Sequence, residues 1–85
     1  MNRHDHFIQR AKQRLNLNLN ERDVENISQE IIERGDSTFF EPRGYGKSLR
    51  SLHWRSHWMF VVWRDAIGEP VTVLTPQQVF KERRA

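Results

Sequence analysis

The spacing of apolar residues along this chain changes once, near Gly35. Before that point they recur at intervals of three and four. Phe7, Ile8, Ala11 and Leu15 fall on one face of a helix predicted over residues 5–15. Asp5 can cap that helix or place negative charge in its first turn. Asparagines then alternate with Leu17 and Leu19, which predicts a loop with both leucines tucked inward. Val24, Ile27 and Ile31 form the seam of a second helix, with Ile32 beside it. Asn20 is its expected N-cap, with Asp23 completing a variant capping box, and Gly35 its expected left-handed C-cap.

Beyond Gly35 the pattern is that of strands. A short strand is predicted over 37–41, then a turn or loop at 42–46. A third stretch, 47–54, alternates imperfectly: Leu49 gives way to Leu52 and Trp54, which predicts a bulge or bend. Residues 57–64 are clearest. Met59, Val61 and Trp63 point one way, and Trp58, Phe60 and Val62 the other, so this strand is expected in the middle of a sheet covered on both sides. A hairpin connection at 65–70 leads to a last strand at 71–74. Thr75-Pro76 then reads as an N-cap and first helical residue of a short helix over 77–84, carrying Val79 and Phe80. Helices followed by strands with short connections predict an α+β fold. Two N-terminal helices pack on a four-stranded, mainly antiparallel sheet, with a short C-terminal helix.

Eighty-five residues suffice for one core, so residues 1–85 are read as a single domain. Three Trp, five Phe and one Tyr give this small core large side chains. With no cysteine, disulfides and thiolate metal sites are excluded. No signal-like apolar run and no span of membrane length occurs, so a cytoplasmic protein without a membrane partner is expected. The net charge of +3 is modest, but its distribution is uneven. Basic residues gather at Arg3, Arg10, Lys12 and Arg14, at Arg43, Lys47, Arg50 and Arg55, and at Lys81, Arg83 and Arg84, with an acidic stretch over 21–41 between the first two groups. Such segregation can build one positive face for nucleic acid, or simply be solvated charge.

Several chemistries drop out. Gly46-Lys47-Ser48 resembles the end of a phosphate-binding loop, but Glu41 stands where the first glycine is required, and a strand follows in place of a helix. His4-Asp5-His6 and the pair His53 and His57 lack a third ligand at metal spacing, so neither a metal nor another cofactor is expected. No serine sits in a nucleophile elbow. What remains is a stripe on the first helix. His6, Arg10 and Arg14 are four apart and flank its apolar face. An imidazole there can move protons, and guanidinium groups can grip a phosphate; a solvated basic stripe would look the same. Thr72 offers a hydroxyl on the last strand for a phosphate oxygen, or only β-propensity. Arg43, Lys47, Arg50 and Arg55 are interleaved with Tyr45, Trp54 and Trp58, a mixture suited to single-stranded RNA. Trp58 is also expected to be a core residue.

Three segments together carry a resemblance. They are the first helix, His6-Phe7-Ile8-Gln9-Arg10-Ala11-Lys12-Gln13-Arg14-Leu15, the second helix end, Ile31-Ile32-Glu33-Arg34-Gly35, and the paired strands 59–63 and 70–74. In element order the chain resembles the small ribonucleases of the barnase, EndoU, colicin and RelE-like group, which includes toxins and phage proteins. The resemblance implies a metal-independent ribonuclease, with His6 as acid or base, Arg10 and Arg14 as phosphate ligands and Thr72 as the strand hydroxyl. Arg14, Arg43, Lys47, Arg50 and Arg55 would bind the nucleic acid. The 2′-hydroxyl of RNA would attack the adjacent phosphate. No second acid–base group stands out; His53 and His57 qualify only as histidines, and Lys47 and Arg50 only if a cation takes that role. Two other functions fit the same sequence: a nucleic-acid binder without catalysis, and a phage-type inhibitor with an antitoxin-like or host protein partner. The second would be marked by an exposed aromatic patch, for instance Tyr45 with Phe39 or Trp54.

Overall fold

The structure, a computed structural model, describes residues 4–82. Arg3, Arg83 and Arg84 lie outside the described residues. Two helices, α1 (Asp5–Leu15) and α2 (Glu21–Arg34), lead through a 3-10 turn at Gly35–Thr38 into four strands. These are β1 (Phe39–Gly44), β2 (Lys47–Trp54), β3 (His57–Arg64) and β4 (Glu69–Leu74), followed by α3 (Pro76–Glu82). The sheet is an antiparallel meander in the order β1-β2-β3-β4, so the fold is α+β as the change of period implies. No described helix is long and apolar enough to cross a membrane.

Local chemistry sets the helix ends. α1 is capped at His4 without a side-chain bond, while Asp5 lies in the first turn. Its C-cap, Asn16, is left-handed, and the chain then tucks Leu17 and Leu19 into the core. α2 opens with the full capping box: Asp23 donates its backbone N–H to the Asn20 side chain (2.9 Å), and Asn20 returns its own to the Asp23 carboxylate (3.1 Å). At the other end Gly35 has positive φ (51°) but a ψ of −124°, so it is no left-handed helical cap. The Ser37 and Thr38 hydroxyls donate to the carbonyls of Arg34 and Gly35, both at 2.8 Å, and prolong the helical path. The first strand therefore starts at Phe39 instead of Ser37. At α3, Gln78 and Thr75 exchange capping bonds of 3.0 and 2.9 Å, and Pro76 is the first helical residue.

The expected irregularity in β2 is absent. Its register with β3 runs unbroken from Lys47↔Arg64 to Trp54↔His57. Leu49 and Leu52 differ in parity because each packs on a different covered face. Leu52 joins Phe7, Ala11, Val24, Ile27, Met59, Val61 and Val73 under α1 and α2. Leu49 joins Phe60, Val62, Leu74 and Val79 beneath α3. β3 is interior and buried on both sides from Met59 to Trp63. Trp58 departs from expectation: it lies at the rim of the α3 side, 38% exposed, while Trp54 packs against the larger core. Register shifts occur instead at the margins, in β1 and in β4 between the Val62 and Trp63 pairings.

Both hairpins at the ends of β2 turn through two residues of positive φ: Tyr45 and Gly46 (54° and 73°), and Arg55 and Ser56 (48° and 67°). A non-glycine residue held there costs about 1–2 kcal/mol, and Asn-Gly is the favoured solution. At Arg55 a return is visible. Its guanidinium pairs with the buried Asp23 carboxylate at 2.7 Å and lies over the Trp54 ring at 4.1 Å. The Tyr45 ring is fully exposed.

Candidate functional site

At one end of the sheet the register assembles a charged row. Lys47 on β2 stands opposite Arg64 on β3, and Arg64 stands opposite Glu69 on β4. Strands are about 4.8 Å apart, so the row spans about 10 Å. Lys47 and Arg64 repel across their strands, while Glu69 on the other side of Arg64 attracts it, so the row alternates repulsion with attraction. Next to the row, β4 carries its register shift. Pro70 pairs with Trp63 and Thr72 with Val62, which leaves Val71 as the extra residue. Bulges of this kind re-aim side chains at sheet edges.

α1 packs along β4 and brings its first turn to this spot. His6, Arg64, Glu69, Pro70 and Val71 line a groove of about 250 Å³. His6 and Arg64 are exposed, and Glu69 is half-buried. The groove is thus lined by a histidine, an arginine and a glutamate. These are the groups that proton transfer at a phosphate requires. Lys47 lies outside the lining, opposite Arg64 in register and on the α3-side face of β2 with Leu49.

The helix stripe divides on inspection. His6 lines the groove. Arg10, one turn on, is half-buried and donates to the Gln13 side-chain carbonyl at 3.0 Å, outside the groove lining. Arg14, two turns on, donates to the Val73 carbonyl at 2.7 Å. Thr72 stands opposite Val62, and cross-strand partners share a face, so its side chain belongs to the α3 side. Its hydroxyl is buried, with no hydrogen-bond partner. The structure does not bring it to the groove lining.

The proposed nucleic-acid cluster is also dispersed. Arg50 lies on the α1–α2 side and works as a fastener. It donates to the Gly35 carbonyl (3.1 Å), to the Ser48 hydroxyl (3.0 Å) and to the Asp65 carboxylate (3.2 Å). Arg55 is held by Asp23 at the opposite end of the sheet from Lys47. Arg43 lies on the edge strand β1 and has a partner of its own. Of this set, Lys47 alone belongs to the charged row. The other histidines are apart from it: His4 bonds the Glu21 carboxylate at 2.8 Å, and His53 lies parallel to the Trp58 ring. Tyr45 and Phe39 stand at opposite ends of the first hairpin and form no joint patch. An aromatic cluster does form on the α3 side, where Phe40, Trp58 and Phe80 surround Phe60.

Arg64 and Glu69 escaped the sequence reading. A signal was present: a hairpin centred on 65–68 places Arg64 opposite Glu69. No family model, curated protein or solved structure matches this chain.

Proposed function

We propose that the groove beside the β4 bulge cleaves single-stranded RNA without a metal. Glu69 takes the proton of a 2′-hydroxyl, whose oxygen attacks the adjacent phosphorus. Arg64 and Lys47 hold the non-bridging oxygens as charge builds on them. His6 gives a proton to the departing 5′-oxygen. The products are a 2′,3′-cyclic phosphate and a free 5′-hydroxyl. The observation that carries this reading is that His6, Arg64 and Glu69 line one groove, with Lys47 opposite Arg64 in register. In this reading Glu69 takes the part of the second acid–base group.

The test is product analysis. Incubation of an end-labelled RNA in EDTA should yield fragments ending in 2′,3′-cyclic phosphate, and DNA of the same sequence should stay intact, lacking the nucleophile. RNA left whole, or fragments ending in 5′-phosphate, would reject the chemistry.

A second reading is capture of a host or antitoxin-like protein. It is favoured by Trp58 and Phe80, 38% and 41% exposed with rings 5.7 Å apart. Rigid aromatics at such a rim suit a protein anchor. Loss of partner binding in Trp58→Ala with RNA cleavage unchanged would assign that face to a protein.

A further inference from the structure

We propose that Tyr45 is a base-stacking subsite, which narrows the substrate to RNA that is unpaired next to the cleaved bond; this rests on the reading of the groove as a ribonuclease site. The first hairpin closes at the pair Gly44↔Lys47, so Tyr45 stands two residues from the start of the charged row. The backbone N–H of Asp65, the residue after Arg64, donates to the Gly46 carbonyl at 3.0 Å. That bond ties the hairpin tip to the end of β3, and so to Arg64. The ring is fully exposed, and its backbone is held at φ 54° between Gly44 and Gly46, both also of positive φ. A solvated ring adds nothing to the core, and the left-handed conformation disfavours it further. Asparagine or glycine would serve the turn better. What the position does offer is an open π-face on a turn that leads directly into Lys47 and is bonded to the residue after Arg64.

That combination fits a single strand of nucleic acid. Bases stack on aromatic rings regardless of sequence while cations follow the backbone. Tyr45 is followed in the turn by Gly46 alone before Lys47 opens β2, so ring and ammonium are close neighbours along the chain. With a base on Tyr45, the adjoining backbone follows Lys47 and its register partner Arg64, which lines the groove with His6 and Glu69. In a duplex the base is already stacked and paired, and its face is closed to the ring.

The test is equilibrium binding of a ten-nucleotide RNA carrying 2′-O-methyl groups, which this chemistry cannot cleave. It compares wild type, Tyr45→Ala and Tyr45→Phe at low salt. Tyr45→Ala should weaken binding about ten- to a hundredfold, with an unchanged melting temperature, since the ring touches no core. Tyr45→Phe should bind within about threefold of wild type, because the ring and not the hydroxyl carries the contact. The same oligonucleotide in a duplex should show no difference between the variants. Equal binding by wild type and Tyr45→Ala overturns the proposal, as does Tyr45→Phe failing as badly as Tyr45→Ala. Wild type that binds no single-stranded RNA overturns it too, and leaves the ring to a protein partner. Binding that depends on Tyr45, alongside intact RNA in the cleavage assay, upholds the subsite and rejects the catalytic reading alone.

Discussion

The Arg14 guanidinium donates to the Val73 carbonyl at 2.7 Å and fastens the last turn of α1 to β4, the edge strand of the sheet. This bond ties the helix to the strand whose start forms the groove, so it bears on where His6 stands two turns earlier. In the proposed site Arg14 acts by position. Arg14→Met keeps much of the aliphatic stem and loses the charge-assisted bond. It should cost about 1.5–3 kcal/mol in urea denaturation, and it should slow cleavage more than it weakens RNA binding. A loss confined to binding would make Arg14 a phosphate ligand instead.

Arg50 should prove to be a residue of the fold. Its side chain is 13% exposed and reaches the 3-10 turn, the buried Ser48 and Asp65. Arg50→Met should destabilise by about 2–4 kcal/mol, because it strips a donor from several acceptors at once. The slope of RNA affinity against salt should stay as in wild type. A variant of normal stability with a shallower slope would return Arg50 to the nucleic-acid surface.

The opposed pair behaves the other way. Replacing Arg64 by Thr relieves repulsion from Lys47, gives up attraction to Glu69 and supplies a residue that favours strands. The two changes nearly cancel, so thermal melting should show stability within about 0.5 kcal/mol of wild type, while cleavage is lost. Either Arg64→Thr or Lys47→Thr should lower the salt slope by about 0.7, the value for one phosphate contact on a single strand. Destabilisation by more than about 1 kcal/mol in Arg64→Thr would mean the row is structural.

The sheet interior gives a check on the fold itself. Val61 is fully buried in the central strand, between Arg50 and Val73 in register. Val61→Asp should cost several kcal/mol, since it places a carboxylate in the larger core. Arg50 stands opposite but is already engaged, so it offers little rescue. A melting temperature near wild type would contradict the packing.

How far the sequence was legible depended on the range of the forces involved. Asn20 with Asp23 and Thr75 with Pro76 are read from neighbours in the chain, and the caps formed where those pairs stand. The two-sided apolar run of β3 likewise required a covered central strand. Leu49 and Leu52 misled because the sheet is covered twice, and a parity change then means two cores and not a bulge. Trp58 was misplaced because α3 is too short to cover that end of its face. Arg50 looked like one more surface cation, because its partners at Gly35 and Asp65 come together only in the folded chain. The same holds for the site. His6 was visible on its helix, but its neighbours Arg64 and Glu69 are set by strand register and by how α1 lies along β4.

The most direct test of the central claim is cleavage of a single-stranded RNA in EDTA by wild type, His6→Ala and Glu69→Gln, with folding matched by melting temperature. His6 is exposed, so its loss should leave the fold intact. Proton transfer by a positioned side chain is worth about 10²–10⁴-fold in rate, and each variant should lose about that much. Wild type that leaves RNA intact, or a His6→Ala protein that cleaves at the wild-type rate, would contradict the account.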